Sequence, residues 1–564
     1  MNILDYLFAV LPMLGILIFV HELGHFIVAK MCGVRVLKFS LGFGSPIGIG
    51  NLRLRWVRGG TEYVIAWFPL GGFVKMLGEQ MQGAQGEELE SVPDARPDEY
   101  LDAKPAWQKL AITFAGPVMN LLLPIVAFVG VLGAGLPQAS PVVGMVEMQS
   151  PAAVAGILAS DKITSVDGVL VESWNVVARA VREHGDTSIA IGLEREGAAM
   201  SIDVPVTIRS SMNEFGEVIE IGWIGLGHRR LPTMVGIPET GSPAEAAGLL
   251  SGDRIESIAG VEVEDWESLS DAYAEQTSSA GVSIVVARGA GDDAIQVELE
   301  IPALTHLRAL GVIPAAVLVR NVSEGMPAEA AGLEPGDLIL AVDGAPVGSF
   351  ATFAEAVRTS GGRSLDITYA RAGETKAVSI APKESQVPGP FDITGMEQTV
   401  YLIGITHGFP TLAGAQHVVK IWNPLVSIPK ATHMTIDRAS LFLRSLGKLV
   451  SGDVGLDNVS GPIGIAEVAR KSLDMGWLVY LNTMVFISIN LGFLNLLPIP
   501  ILDGGQAVII IVEAVKRSPI SLRSREIVQQ IGLTFILMLM GLAFWNDLSR
   551  HWGVFVEWLR GTGL

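Results

Sequence analysis

Apolar positions run almost unbroken from Leu4 to Val28, and this stretch predicts a helix long enough to cross a bilayer, which needs about 20 mostly apolar residues. Leu110 to Leu136, Trp477 to Ile501 and Ile527 to Trp545 pass the same test, so four spans are expected. The first has no basic stretch before it and no small-residue cleavage site, and it is read as a retained span rather than a leader. Between the second and third spans the pattern becomes that of a soluble chain and repeats itself. Ser150-Pro151-Ala152-Ala153-Val154-Ala155-Gly156-Ile157 recurs as Ser242-Pro243-Ala244-Glu245-Ala246-Ala247-Gly248-Leu249 and again as Met326-Pro327-Ala328-Glu329-Ala330-Ala331-Gly332-Leu333. Each copy continues into Asp161, Gly252-Asp253 or Gly336-Asp337, an apolar strand and a turn ending at Gly168, Gly260 or Gly344. The copies lie about 90 residues apart, the size of a small domain rather than of a solenoid unit. Residues 411 to 450 place Trp422, Ile428, Leu441, Phe442 and Leu446 at helical spacing. Helices along the membrane and helices packed on the spans fit that pattern equally.

Composition fits spans joined to a sizeable soluble part: 564 residues, 49% hydrophobic and 17% charged. Several domains are expected at this length. A net charge of −19 excludes nucleic acid as a partner, because no basic stripe offsets a surface that phosphates avoid. The single Cys32 excludes an internal disulfide and a multi-cysteine metal site, and it reads as a small filler. Lys30, Arg35, Lys38, Arg53, Arg55, Arg58 and Lys75 lie between the first two spans; Lys516, Arg517, Arg523 and Arg525 follow the third. By the positive-inside rule both loops are cytoplasmic, which puts the termini and residues 137 to 476 on the far side.

Into the first span is written His21-Glu22-Leu23-Gly24-His25. Histidines four apart project from one helix face, where both imidazoles can reach one Zn²⁺, and Glu22 falls beside the water that the ion would activate. An ionisable cluster at membrane depth is costly enough to count as a functional site by default. A catalytic zinc site takes three protein ligands and an open position. The third span ends in Asn495-Leu496-Leu497-Pro498-Ile499-Pro500-Ile501-Leu502-Asp503-Gly504-Gly505, where two prolines break the helix and a carboxylate arrives at the same predicted face as the histidines. Asp503 is therefore the candidate third ligand. No Gly-x-Ser-x-Gly accompanies the repeats, which argues against serine chemistry.

The repeats resemble bacterial PDZ domains, with closing glycine strands at Ile221-Gly222-Trp223-Ile224-Gly225, Leu310-Gly311-Val312 and Ile403-Gly404-Ile405. Peptide binding by strand addition and simple steric exclusion both remain open for them. With the HExxH and the Asn-x-x-Pro-x-Pro-x-Leu-Asp-Gly run, they resemble the site-two protease family of intramembrane zinc metalloproteases, of the RseP type. Further matching stretches are Gly42-Phe43-Gly44, Gly71 to Glu79, Phe114-Ala115-Gly116-Pro117-Val118-Met119-Asn120 and Asn458 to Ile465. Three PDZ copies depart from the usual two. The resemblance implies a polytopic α-helical membrane protein with four transmembrane helices, a membrane-associated β-hairpin and tandem periplasmic PDZ domains of α+β type. It implies zinc held by His21, His25 and Asp503, Glu22 as general base, and Asn495 on the substrate backbone. Gly71, Gly72, Phe73, Val74, Lys75 and Met76 would form the hairpin edge that meets substrate.

The expected layout is a first span at 1–30, a cytoplasmic loop with the hairpin at 31–108 and a second span at 109–136. PDZ domains follow at 140–229, 233–314 and 315–408, then membrane-associated helices at 409–475. The last spans are at 477–505, carrying Leu502-Asp503-Gly504, and at 526–546. The implied activity is zinc-dependent cleavage within single-pass proteins of the bacterial inner membrane, on its cytoplasmic side, with an anti-sigma factor as substrate. A catalytically inactive PDZ scaffold is the alternative, and the bilayer is a partner on either reading.

Overall fold

The computed structural model describes residues 3–49, 52–78, 95–213, 216–276, 281–289, 294–388, 397–407, 411–452 and 460–561. Glu79, Asn458 and Val459, quoted above in matching stretches, lie outside the described residues. The chain divides into two compact units, one made of residues 1–136, 388–397 and 420–564, the other of 137–387 and 398–419.

Among the described residues of the first unit, four helices are long and apolar enough to cross a membrane: Leu4–Met31, Ala106–Ala134, Trp477–Leu496 and Arg523–Arg550. The protein is thus a polytopic α-helical membrane protein. The first span packs Ala9, Val10, Met13 and Leu17 against Ala469 of the helix Pro462–Asp474 and Met484 of the third span. Phe128 and Leu132 of the second span pack against Ala431 and Phe442 of the helix Pro424–Ser451 and against Val485 and Ile489 of the third. Trp422 lies against Gly133, where a Cβ would come within 3.1 Å of its ring. A strand, Gln416–Val419, precedes these helices in a stretch expected to be helical throughout.

The third span stops at Leu496 rather than running through Asp503. Pro498 and Pro500 supply no N–H, and Leu497, ahead of a proline, is driven to an extended ψ of 145°. Two turn bonds, Ile499 N–H to the Leu497 carbonyl and Leu502 N–H to the Ile499 carbonyl, carry the chain around. A separate 14-residue helix, Asp503–Lys516, then begins with Asp503 in its first turn. Gly504 and Gly505 permit this return, because a Cβ on either would collide with carbonyls of Leu496, Leu497 or Ile499.

Residues 36–76 form more than a hairpin. The 16-residue strand Thr61–Met76 doubles back, so Leu41 of the strand Val36–Pro46 faces Ile65 on one side and Gly72 on the other. Arg55–Arg58 extends the sheet beyond the first half. The half from Gly72 to Met76 is then an edge, its outer side without a strand partner among the described residues. Val74 and Met76 bury their side chains with Val36, Phe39 and Ala29, and Cys32 packs at the margin of this core as a half-buried filler.

Among its described residues the second unit holds three four-stranded antiparallel sheets with one strand order, each beside its own helix: Trp174–Glu183, Trp266–Ala274 and Phe350–Thr359. The central turns place two successive residues at positive φ: Asp167-Gly168, Ala259-Gly260 and Asp343-Gly344. Both central residues at positive φ is the conformation that matches strand twist in a tight hairpin. The expected closing strands are displaced: Ile221–Trp223 pairs instead with Thr207–Arg209, and Leu310-Gly311 ends a short 3-10 helix, Leu307–Leu310, with Gly311 at positive φ. The strands that return to each domain begin at Leu226, Ile313 and Ile405: Leu226–Gly227 pairs with Met145–Val146, Ile313–Pro314 with Val235–Gly236, and Ile405–His407 with Val319–Val322. The recurrent aspartate is buried in every copy. Asp161, Asp253 and Asp337 accept from the N–H groups of Leu158, Leu250 and Glu334 and from the guanidinium groups of Arg195, Arg288 and Arg371. Each arginine also donates to the carbonyl of Gly156, Gly248 or Gly332. The clasp locks the short helix to the sheet, and the carboxylate raises each guanidinium above its ordinary pKa.

Candidate metal centre

Two elements distant in sequence converge on one point. His21 and His25 extend from one face of the first span, as their four-residue spacing requires, and Asp503 reaches them from the start of its helix. His21 Nε2 lies 3.3 Å from Asp503 Oδ2, His25 Nε2 3.7 Å from Asp503 Oδ1, and the two Nε2 atoms 3.2 Å apart. Zinc–nitrogen bonds of about 2.1 Å in a tetrahedron separate neighbouring ligand atoms by roughly 3.4 Å. The donor set and its spacing therefore fit zinc. The side chains are 12%, 11% and 19% exposed, so the cluster is largely shielded from water.

The second span forms the wall opposite. His25 Nδ1 donates to the Ile112 carbonyl at 2.8 Å, which fixes its ring with Nε2 toward the cluster. Gly24 lets the two helices close, because a Cβ there would strike the Ala115 backbone. Gly116 faces the ligands: a Cβ on it would fall 2.8 Å from His21 Nε2 and closer still to His25 Nε2. One turn on, Asn120 is fully buried with its Nδ2 3.2 Å from His21 Nδ1. Asn495 Nδ2 stands 3.5 Å from the same nitrogen.

Glu22 lies on the sheet side of the first span. A Cβ on Gly72 would sit 3.0 Å from Glu22 Cγ and 2.9 Å from Ile18 Cγ2, so the edge strand passes in contact with the helix at the glutamate. Of the six hairpin residues, Gly72 is thus brought beside Glu22. Gly71 lies under the Phe43 ring, and Phe73 stacks on that ring at 6.2 Å. Lys75 is half-buried, while Val74 and Met76 turn their side chains into the core, where only their backbone is available to a partner. Gly116 and Asn120 escape the sequence reading as functional positions. The stretch Phe114 to Asn120 stands out there as a match, but nothing in it points to the histidines.

Helices that span a bilayer around a two-histidine, one-carboxylate cluster define a membrane metallopeptidase. The model of peptidase family M50 matches residues 9–539. The chain is 31% identical to the regulator of sigma-E protease RseP of Escherichia coli, over 95% of this chain and 97% of that one. It is 31% identical to protease RseP of Yersinia pestis and 30% to the regulator of sigma E protease of Salmonella typhi, in both cases over 98% of this chain and all of the relative. The chain belongs to peptidase family M50. It is a zinc metalloendopeptidase of the site-two protease type, an inner-membrane protein that works in regulated intramembrane proteolysis.

Proposed function

We propose that this protein hydrolyses a peptide bond inside the transmembrane segment of a single-pass membrane protein. The substrate is an anti-sigma factor already shortened by a first periplasmic cut. His21, His25 and Asp503 hold the zinc, Glu22 is the general base, Asn495 contacts the substrate backbone, and the edge Gly71–Met76 pairs with the substrate. The observation that carries the reading is the meeting of two Nε2 atoms and a carboxylate beside Glu22 and an open strand edge.

When bound, zinc activates water at neutral pH and polarises a peptide carbonyl. Glu22 would take a proton from the attacking water and return it to the leaving amine, so no covalent intermediate is needed. The remaining problem is access to the bond. A transmembrane helix keeps every peptide group in its own hydrogen bonds, and an unwound stretch has none to replace them in lipid. Strand addition along Gly72–Met76 supplies them and holds the extended segment next to Glu22. Substrates with Gly or Pro in the span are accordingly cut faster than spans of Ala and Leu alone.

The basic loops put the active site near the cytoplasmic face and the PDZ domains at 140–229, 233–314 and 315–408 in the periplasm. There they exclude substrates that still carry a bulky ectodomain. Coexpression with a tagged single-pass candidate, comparing the parent with Glu22→Gln, tests the chemistry: the parent yields the cut product and Glu22→Gln, with zinc retained, does not. Equal cleavage by both would remove Glu22 from the mechanism. Replacing residues 140–418 by a flexible linker tests the gate: uncut substrate then becomes cleavable, and an unchanged need for prior trimming would refute exclusion. The replacement extends to 418 because the second unit continues past the strand Ile405–His407 of the third domain as far as Val419.

A further inference from the structure

A histidine that ligates a metal through Nε2 carries its proton on Nδ1 and needs an acceptor there, which fixes both tautomer and ring orientation. His25 has one in the Ile112 carbonyl at 2.8 Å. His21 has no backbone carbonyl in that role among the hydrogen bonds of the described residues; its Nδ1 faces two carboxamides, Asn120 at 3.2 Å and Asn495 at 3.5 Å. In both, the NH₂ end stands opposite the ring nitrogen. An NH₂ donor there would force the His21 proton onto Nε2, the atom 3.3 Å from Asp503 and 3.2 Å from His25 Nε2, and would disable it as a ligand.

A half-turn of a carboxamide exchanges its oxygen and nitrogen with almost no change of shape. Asn120 has the reason to make it. Its side chain is fully buried, and with the NH₂ end toward His21 its Oδ1 meets no hydrogen-bond partner among the described residues. The half-turn sets Oδ1 against His21 Nδ1–H, which gives the oxygen a donor and leaves Nε2 its lone pair. Asn495 lies farther from Nδ1 and is half-buried, which suits a group turned toward substrate.

We propose that Asn120 is the positioning residue of His21, accepting the Nδ1 proton through its side-chain oxygen so that Nε2 is held toward the zinc. This inference rests on the reading of His21 as a ligand. It gives the second span a defined part in the site: Gly116 leaves room for the ion, and Asn120, one turn away, aims a ligand at it.

The test compares the parent, Asn120→Leu, Asn120→Asp and His21→Ala as full-length purified proteins. Zinc retention is measured against a competing chelator, and visible absorption after replacement by Co²⁺ reports the ligand geometry. Leucine keeps the volume without an acceptor; aspartate keeps the acceptor. Asn120→Leu is expected to bind zinc about 10- to 100-fold more weakly and to lower kcat at saturating zinc with KM unchanged. Asn120→Asp is expected to retain zinc and the parental Co²⁺ spectrum. Parental zinc affinity in Asn120→Leu would overturn the proposal. So would loss of zinc by Asn120→Asp to the level of leucine, since that outcome makes packing, not the acceptor, the requirement. His21→Ala separates the two readings: if it too holds zinc like the parent, the ligand assignment itself falls.

Discussion

Gly116→Ala places one methyl group at the focus of the metal site. The added Cβ would lie 2.8 Å from His21 Nε2 and 2.7 Å from His21 Cε1, where ordinary contact begins near 3.4 Å. His21 must therefore retreat by roughly 0.6 Å and His25 by more, whereas ligand distances in metal sites hold to about ±0.2 Å. The ligands cannot yield in a concerted way: His25 is tethered to the Ile112 carbonyl and Asp503 to a helix start packed on Gly504 and Gly505. Loss of affinity should exceed the ~10- to 100-fold seen when a supporting partner is removed. Global stability should change little, because overpacking of about 1–3 kcal/mol is offset in part by the ~1 kcal/mol that alanine gains over glycine within a helix. Gly130→Ala is the control, since that glycine lies in the same helix with nothing within 4 Å of an added Cβ. The assay is zinc per protein by elemental analysis after dialysis against a chelator, alongside cleavage and thermal unfolding. Full zinc and parental cleavage in Gly116→Ala would refute the geometry argued here.

Gly72→Val should lower kcat/KM at least tenfold while zinc is retained, because the new side chain meets Glu22, Ile18 and the Ser40 carbonyl rather than the ligands; concurrent loss of zinc would show that the strand supports the metal site instead. Asp337→Asn should destabilise the third repeat domain by about 3 kcal/mol, since it leaves Arg371 without its buried partner, and should expose residues 315–407 to limited proteolysis; unchanged protection counts against the clasp. Glu267 gives a pH dependence. Burial, then Asp271, Asp265 and Asp161, push its carboxyl up from an ordinary value near 4.5 to about 7. The folded protein binds the extra proton between those values, so stability falls as pH rises from about 4.5 to 7, with the full penalty above 7. That gap corresponds to about 3 kcal/mol, reduced to ~1–2 because the side chain is only partly buried and solvent screens it. Glu267→Gln should therefore melt higher than the parent at pH 8 and equally at pH 4; a shift of the same size at both would reject the assignment.

The sequence determined what depends on neighbours a few residues apart. Length and polarity mark four spans, a four-residue interval puts His21 and His25 on one face, and Pro498 and Pro500 announce a break. Three recurrences of the Pro-Ala segment mark three like domains. Such features are legible because helix and strand periods repeat every two to four residues. Tertiary structure decided the rest. His21 meets Asn120 across 99 residues and Asn495 across 474, and no periodicity relates them. The recurrent aspartates were visible in the chain, but their arginine partners, 34 or 35 residues on, became recognisable only when sheet register brought them together. Gly116 and Gly72 matter for the space they leave empty, a property of the packed interior that no single residue carries. The hairpin became a doubled strand because Leu41 pairs on both sides. Asp503 belongs to its own helix because two prolines and two glycines together turn the chain back on itself, and only that return delivers a carboxylate to the histidines.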